Sequence, residues 1–279
     1  MTFILSISFF VTEEDESVAD VNILKSKKLF VLDMDGTFYL GNKLIDGSLD
    51  FIRKVEATGR QFLFFTNNSS KTSDFYIGKL ASMGLDIRKD QIITSGDVTI
   101  NYLKKFYSGK KIYLMATEIV EKDFSERGII LSKDDADAVV VAFDTSLTYE
   151  KLNIACRLIR NGRDFIATHP DFNCPTEDGF IPDCGAMCAF ITASTGKKPK
   201  YLGKPYKETV DCILDHTGLT LDEIVFVGDR LYTDIATAYY HGATGLLVLS
   251  GETKPEDVEK SDVKPDLIFE SLKEVAAVL

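Results

Sequence analysis

Histidine is scarce in this chain. Only His169, His216 and His241 occur in 279 residues, and no two lie three or four positions apart. A zinc-hydrolase site of paired histidines on one helix face is therefore not expected. Cysteine gives no framework either: five residues, at 156, 174, 184, 188 and 212, form an odd set without a C-x-x-C. In a chain this long they read as reduced thiols of a cytoplasmic protein. Positive charge is in deficit, with 32 Lys and Arg against 43 Asp and Glu, for a formal charge of −11. Nucleic acid is thus not an expected partner, because backbone affinity needs clustered cations. A small anionic ligand stays open, since net charge says little about one pocket. No apolar run is long enough to cross a membrane. The opening MTFILSISFFV lacks a basic flank and is followed by EEDE where a cleavage site should stand, so residues 1–24 read as an N-terminal extension and not as a signal peptide. Repeats, low-complexity stretches and Gly/Ser linkers are also missing.

What is present is an ordinary globular composition, 45% hydrophobic and 27% charged, in a length that suits about two domains. Four-residue apolar runs at Leu29–Leu32, Phe62–Phe65, Ile224–Val227 and Leu246–Leu249 are too short for helices and do not alternate. They read as strands buried on both faces. Helical patterns lie between them, as at Leu152, Ala155, Cys156 and Ile159, where Gly162 stops the run. Strand alternating with helix gives βαβ units and a parallel sheet. The middle third carries its own strands at Ile112–Met115, Val139–Phe143 and Phe165–Ala167. The expected organisation is a discontinuous core, 25–95 and 183–279, interrupted by an inserted α/β domain at 96–182.

Three core strands run into polar residues: Asp33 and Asp35, then Thr66 and Asn67, then Asp229. In open α/β sheets ligands bind at such carboxyl ends. Asp33 and Asp35, two apart, leave a strand on one side. So close a pair suits a nucleophile beside a general acid, although a turn of solvated aspartates would show the same letters. The segment TNNSS at 66–70 offers donors at a helix start for a phosphoryl oxygen, and equally an N-cap cluster. Lys204 stands at the mouth of a helix, and Asp234 lies in the turn after Asp229. Oxygen ligands from Asp33 and Asp229 favour Mg²⁺ over zinc.

The motifs DMDGT (33–37), TNNSS (66–70), YLGKP (201–205) and VGDRLYTD (227–234), in this order, resemble the haloacid dehalogenase (HAD) superfamily. More narrowly they resemble its class IIA branch of NagD-like and 4-nitrophenyl phosphatases. The resemblance runs from about residue 27 to the end and includes ATHPDFNCPTEDGFIPDCGAMC at 167–188. It implies a Rossmann-like parallel sheet with an inserted C2-type cap. It also implies a Mg²⁺-dependent phosphomonoesterase of small phosphorylated metabolites, working through an aspartyl phosphate. Asp33 matches the nucleophile and Asp35 the general acid. Mg²⁺ would be held by Asp33, the Asp35 carbonyl and Asp229. Thr66, Asn67 and Lys204 match phosphate-binding positions, and Asp234 a supporting acid behind the metal. A homodimer through the cap is compatible with this branch.

Alternatives on the same core are a phosphotransferase or mutase, whose cap usually follows motif one, and a non-catalytic phosphate-binding scaffold, which should have lost an acid or Lys204. Sugar phosphates, glycerol phosphate, phosphoglycolate, nucleoside monophosphates and pyridoxal phosphate remain open as substrates. The segment Asp171–Asp178 is expected to face the substrate. Cys174 stands there where the pyridoxal phosphate phosphatases have a histidine, which weakens that assignment.

Overall fold

The computed structural model describes residues 21–176 and 178–279. The larger sheet has six strands, all parallel: β1 (Leu29–Leu32), β4 (Gln61–Thr66), β5 (Ile92–Thr94), β13 (Ile224–Gly228), β14 (Thr244–Val248) and β15 (Leu267–Phe269). Their order is β15-β14-β13-β1-β4-β5. From β1 the chain builds outward on one side, then returns to build on the other, so β1 marks the point where strand order reverses. The carboxyl ends beside such a point splay apart and leave a crevice. A short hairpin, β2 (Tyr39–Leu40) and β3 (Lys43–Leu44), stands over that end.

The apolar runs form strands because both faces are covered. Phe30, Leu32, Phe62, Phe64, Val225 and Val227 join one buried cluster, and the alternate residues Leu29, Val31, Leu63, Phe65, Ile224 and Phe226 join another. The period of two that reads as a continuous run in the sequence is thus two buried faces.

The second sheet is also parallel, in the order β12-β9-β8-β6-β7, from β6 (Lys111–Met115), β7 (Ile130–Leu131), β8 (Ala138–Val141), β9 (Asp164–Ala167) and β12 (Lys200–Tyr201). Between β9 and β12 lies a hairpin, β10 (Asn173–Thr176) and β11 (Gly179–Pro182). Ile112, Leu114, Val140 and Ile166 pack into the cluster shared with the core helices Ser95–Phe106 and Lys207–Thr217. The opposite face, Tyr113, Val139, Val141 and Phe165, packs on helices Tyr149–Arg160 and Cys184–Thr195.

Three expected boundaries move. The inserted domain does not begin at 96, because the helix Ser95–Phe106 follows β5 directly and packs on the core helix Lys207–Thr217. The inserted domain does not end at 182: Cys184, Met187, Cys188 and Ile191 bury against its sheet, and Lys200 pairs with Ile166 as an edge strand. The return to the core therefore falls just after Tyr201. The N-terminal extension does not reach 24. Val21–Ser26 forms a 3₁₀ turn whose Leu24 is 2% exposed in the core cluster with Phe30. The rest of that extension, 1–20, lies outside the described residues.

Candidate active site

Asp33 follows β1 directly, and its backbone N–H donates to Val227 O of β13 at 2.9 Å. Its carboxylate meets Lys204, whose Nζ donates to Asp33 Oδ1 at 2.6 Å, to Asp234 Oδ1 at 2.6 Å and to Phe65 O at 3.3 Å. All three ammonium donors are thereby used. Burial disfavours the charge on Lys204, but Asp234 and Asp33 outweigh it and hold its pKa above the ordinary lysine value. One carboxylate oxygen from each of Asp33, Asp229 and Asp234 lies within 4.8 Å of the others. Burial pushes Asp33 up to about 6 against the pull of Lys204. Burial, with Asp33 and Asp234 beside it, pushes Asp229 up to about 8.

Each acid is held by its own contacts. Asp229 Oδ2 accepts from Glu252 N at 2.7 Å, and its Oδ1 lies 3.4 Å from the Thr37 hydroxyl. Asp234 Oδ2 accepts from Arg230 N at 3.1 Å, so both its oxygens are engaged. Gly36 has φ 87°, and a Cβ there would fall 2.8 Å from Asp229 Cγ. Only glycine lets the DMDGT turn approach this closely.

Asp35 stands outside the three-acid cluster. It bridges to Tyr39 at the hairpin and lines the cleft opposite Lys79. Burial raises its pKa, with Lys79 and Arg230 opposing. Lys79 Nζ sits 3.8 Å above the Tyr39 ring.

The TNNSS loop is held by a network of its own. Thr66 and Asn67 both line the cleft, but the Asn67 side chain is not free to grip a phosphate. Its Oδ1 accepts from Lys204 N at 2.9 Å, and its Nδ2 donates to Lys204 O and to Asp171 Oδ2, each at 3.1 Å. Both amide ends are committed, so this side chain fixes the Lys204 peptide. Thr66 Oγ1 accepts from Asn68 N at 3.1 Å, and Asn68 Oδ1 accepts from Ser70 N at 3.0 Å. Ser69 Oγ lies 2.8 Å from Thr168 Oγ1 and accepts from Phe143 N at 2.9 Å. The loop is thus also the junction between core and inserted domain.

Asp33, Asp35, Thr66, Asn67 and Lys204 line a cleft of about 200 Å³. Its outer half is walled by Lys71, Phe75, Tyr76 and Lys79, and by Asn173, Cys174 and Pro175 of the β10–β11 hairpin. Of the segment expected to face substrate, Asp171, Asn173, Cys174 and Pro175 contribute, whereas Asp178 is exposed and does not line the cleft. Burial, with Asp183 and Asp35 nearby, pushes the Cys174 thiol up to about 12, so it is a packing group and not a nucleophile. Sequence reasoning missed Arg230, which lies inside the fourth motif, lines the cleft and pairs through Nε with Glu252 at 2.9 Å. It also missed Lys79, which no motif marks.

The chain matches a model of haloacid dehalogenase-like hydrolases over residues 30–130 and one described as HAD-hydrolase-like over 201–275. It is 35% identical over 257 residues to the acid sugar phosphatase of Staphylococcus aureus, covering 92% of this chain and 99% of that protein. Among solved structures it is similar to the 4-nitrophenylphosphatase of Thermotoga maritima, at 44% identity and TM-score 0.89, over 91% of this chain and 98% of that one. NagD of E. coli K-12 superposes with TM-score 0.83 at 30% identity, over 89% and 98% of the two chains. Four motifs meeting at one strand-end crevice, and this agreement along nearly the whole length, give one conclusion: the chain belongs to the haloacid dehalogenase-like hydrolases, in their NagD-like phosphatase branch.

Proposed function

We propose that the chain is a Mg²⁺-dependent phosphomonoesterase that hydrolyses a small phosphorylated metabolite through an aspartyl phosphate on Asp33. The observation that carries this is the Lys204 ammonium, shared at 2.6 Å between Asp33 and Asp234 with Asp229 alongside. Lys204 offsets one of three clustered carboxylates, and the two charges left match a divalent cation. The donors are all oxygens, which suits Mg²⁺. Asp33 and Asp229 would hold the ion, with the Asp35 carbonyl as a third contact, and Asp234 would support from behind because its own oxygens are engaged. When bound, Mg²⁺ supplies charge neutralisation to the phosphoryl oxygens.

The chain's own groups account for the rest. An Asp33 oxygen attacks phosphorus in line as the ester P–O bond breaks. Asp35, whose raised pKa favours the protonated form, gives its proton to the leaving oxygen. It then takes a proton from the water that attacks the aspartyl phosphate, releasing inorganic phosphate. Lys204 and the loop at Thr66 steady the negative charge on the phosphoryl group. The side chain of Asn67 contributes by holding the Lys204 peptide.

The cleft volume limits the leaving portion to a small molecule, and the similarity to an acid sugar phosphatase puts sugar phosphates first among candidates. The five free thiols suit a reducing, cytoplasmic setting, and no helix among the described residues is long and apolar enough to cross a membrane. The test is phosphate release from a panel of phosphorylated metabolites with Mg²⁺ and with excess chelator. Turnover of at least one small monoester only with metal is the expected result, and no release from any of them would refute the assignment.

A further inference from the structure

The segment returning from the inserted domain carries a buried ion cluster that the chemistry above leaves unused. His169 is 0% exposed. Its Nδ1 lies 3.4 Å from Asp171 Oδ2, and its Nε2 lies 3.4 Å from Asp183 Oδ1. The two carboxylates flank different ring nitrogens, whereas a metal ion takes only one of them. The arrangement is therefore an imidazole in ion-pair range of two acids, one on each ring nitrogen, without a hydrogen bond to either. Burial works against a charged ring, but Asp183, Cys184 and Asp171 outweigh it and hold the His169 pKa up at about 9. The remaining cation that faces the cluster is Arg230 from the core, whose Nη1 is 4.0 Å from Asp171 Oδ2.

Asp171 is the shared member of two networks. The oxygen that faces His169 also accepts from Asn67 Nδ2, and Asn67 clamps the Lys204 peptide from both sides. The three segments meet without slack. A Cβ at Gly203 would lie 2.6 Å from Thr168 O, 2.7 Å from Asn67 Oδ1 and 2.8 Å from His169 Cβ. A shift at 169–171 is therefore passed to the backbone beside Lys204.

We propose that His169 is a positioning residue for phosphoryl transfer: held by Asp183, it keeps Asp171 on Asn67, and Asn67 sets the Lys204 peptide and so the ammonium on Asp33. The physical reason is a competition for one carboxylate. With a charged His169, Asp171 has a cation on its own segment and stays under Asn67. Without that charge, Arg230 is the only cation left to it among the described residues, and the carboxylate turns toward the cleft and releases the Asn67 amide. The proposal rests on the phosphatase reading.

The test compares wild type with His169→Asn, as full-length chains with Mg²⁺, on 4-nitrophenyl phosphate between about pH 6 and 10. The variant should lose about 10- to 100-fold in kcat, with KM changed by less than about twofold. Wild-type kcat should fall as pH rises through about 9, and that limb should be absent in the variant. A packing role alone would change neither the limb nor the split between kcat and KM. An active wild type with an unchanged variant refutes this proposal alone, and an inactive wild type refutes the phosphatase reading and this proposal with it. Should His169→Asn fail to fold, nitrogen chemical shifts of the wild-type histidines decide: a doubly protonated His169 at neutral pH supports the proposal, and a neutral ring there overturns it.

Discussion

Replacing Lys204 with methionine keeps the buried aliphatic stem and removes the one cation in contact with both Asp33 and Asp234. The two carboxylates then face each other across the space the ammonium filled. With one oxygen of each within 4.8 Å of the other and an effective dielectric of about 20, a pair of unit charges repels by at least about 3.5 kcal/mol. That alone is worth more than two orders of magnitude in the availability of an ionised Asp33, at about 1.4 kcal/mol per factor of ten. The variant also loses a fixed positive charge on the transferring phosphoryl group, a contribution of about 10²-fold or more. Because the site is preorganised, both losses fall on the chemical step. Steady-state kinetics on 4-nitrophenyl phosphate should show kcat down at least about 10³-fold, with KM changed far less. Thermal unfolding should show a lower midpoint, since three donor contacts to buried groups are gone. A variant within about tenfold of wild-type kcat would refute the reasoning, because no other cation contacts the pair among the described residues.

Other outcomes follow from the same geometry. Excess chelator should abolish turnover, Mg²⁺ should restore it and zinc should not, as phosphate release will show; full activity in chelator would remove the metal from the mechanism. Deleting residues 1–20 should leave turnover unchanged, whereas deletion through Leu24 should cost about 1.5–3 kcal/mol in denaturant unfolding, the worth of one buried leucine. Cys174→His, on the hairpin that walls the outer cleft, should reorder kcat/KM among metabolites while the rate on an aryl phosphate stays close to wild type. A uniform fall on every substrate would contradict a division of labour between hairpin and core.

Much of the architecture was legible because the core strands are continuous apolar runs that end in polar residues. Leu29–Leu32 stops at Asp33 and Ile224–Val227 at Gly228-Asp229, and parallel pairing then brings 33 and 229 together whatever their separation in sequence. What stayed hidden depends on contacts without local pattern. A two-residue edge strand at Lys200–Tyr201 has no periodicity to read, so the inserted domain was cut short at 182. The Asn67 side chain looked like a phosphate donor because its motif follows a strand, but its partners Asp171 and Lys204 lie 104 and 137 residues away. The contacts of His169 with Asp171 and Asp183 are near in sequence, but a lone histidine carries no signal there. Leu24 was assigned to the extension because the short segment Val21-Asn22-Ile23-Leu24 between polar stretches does not announce a buried turn.

The central claim is that Asp33 carries the phosphoryl group, and rapid quench tests it most directly. Wild type mixed with ³²P-labelled substrate and Mg²⁺, stopped in acid within one turnover and digested, should yield a labelled peptide containing Asp33 whose label is released by hydroxylamine. Asp33→Asn, folded and still able to bind vanadate, should yield none. Phosphate release in wild type with no labelled peptide, or with label on another residue, would contradict the account.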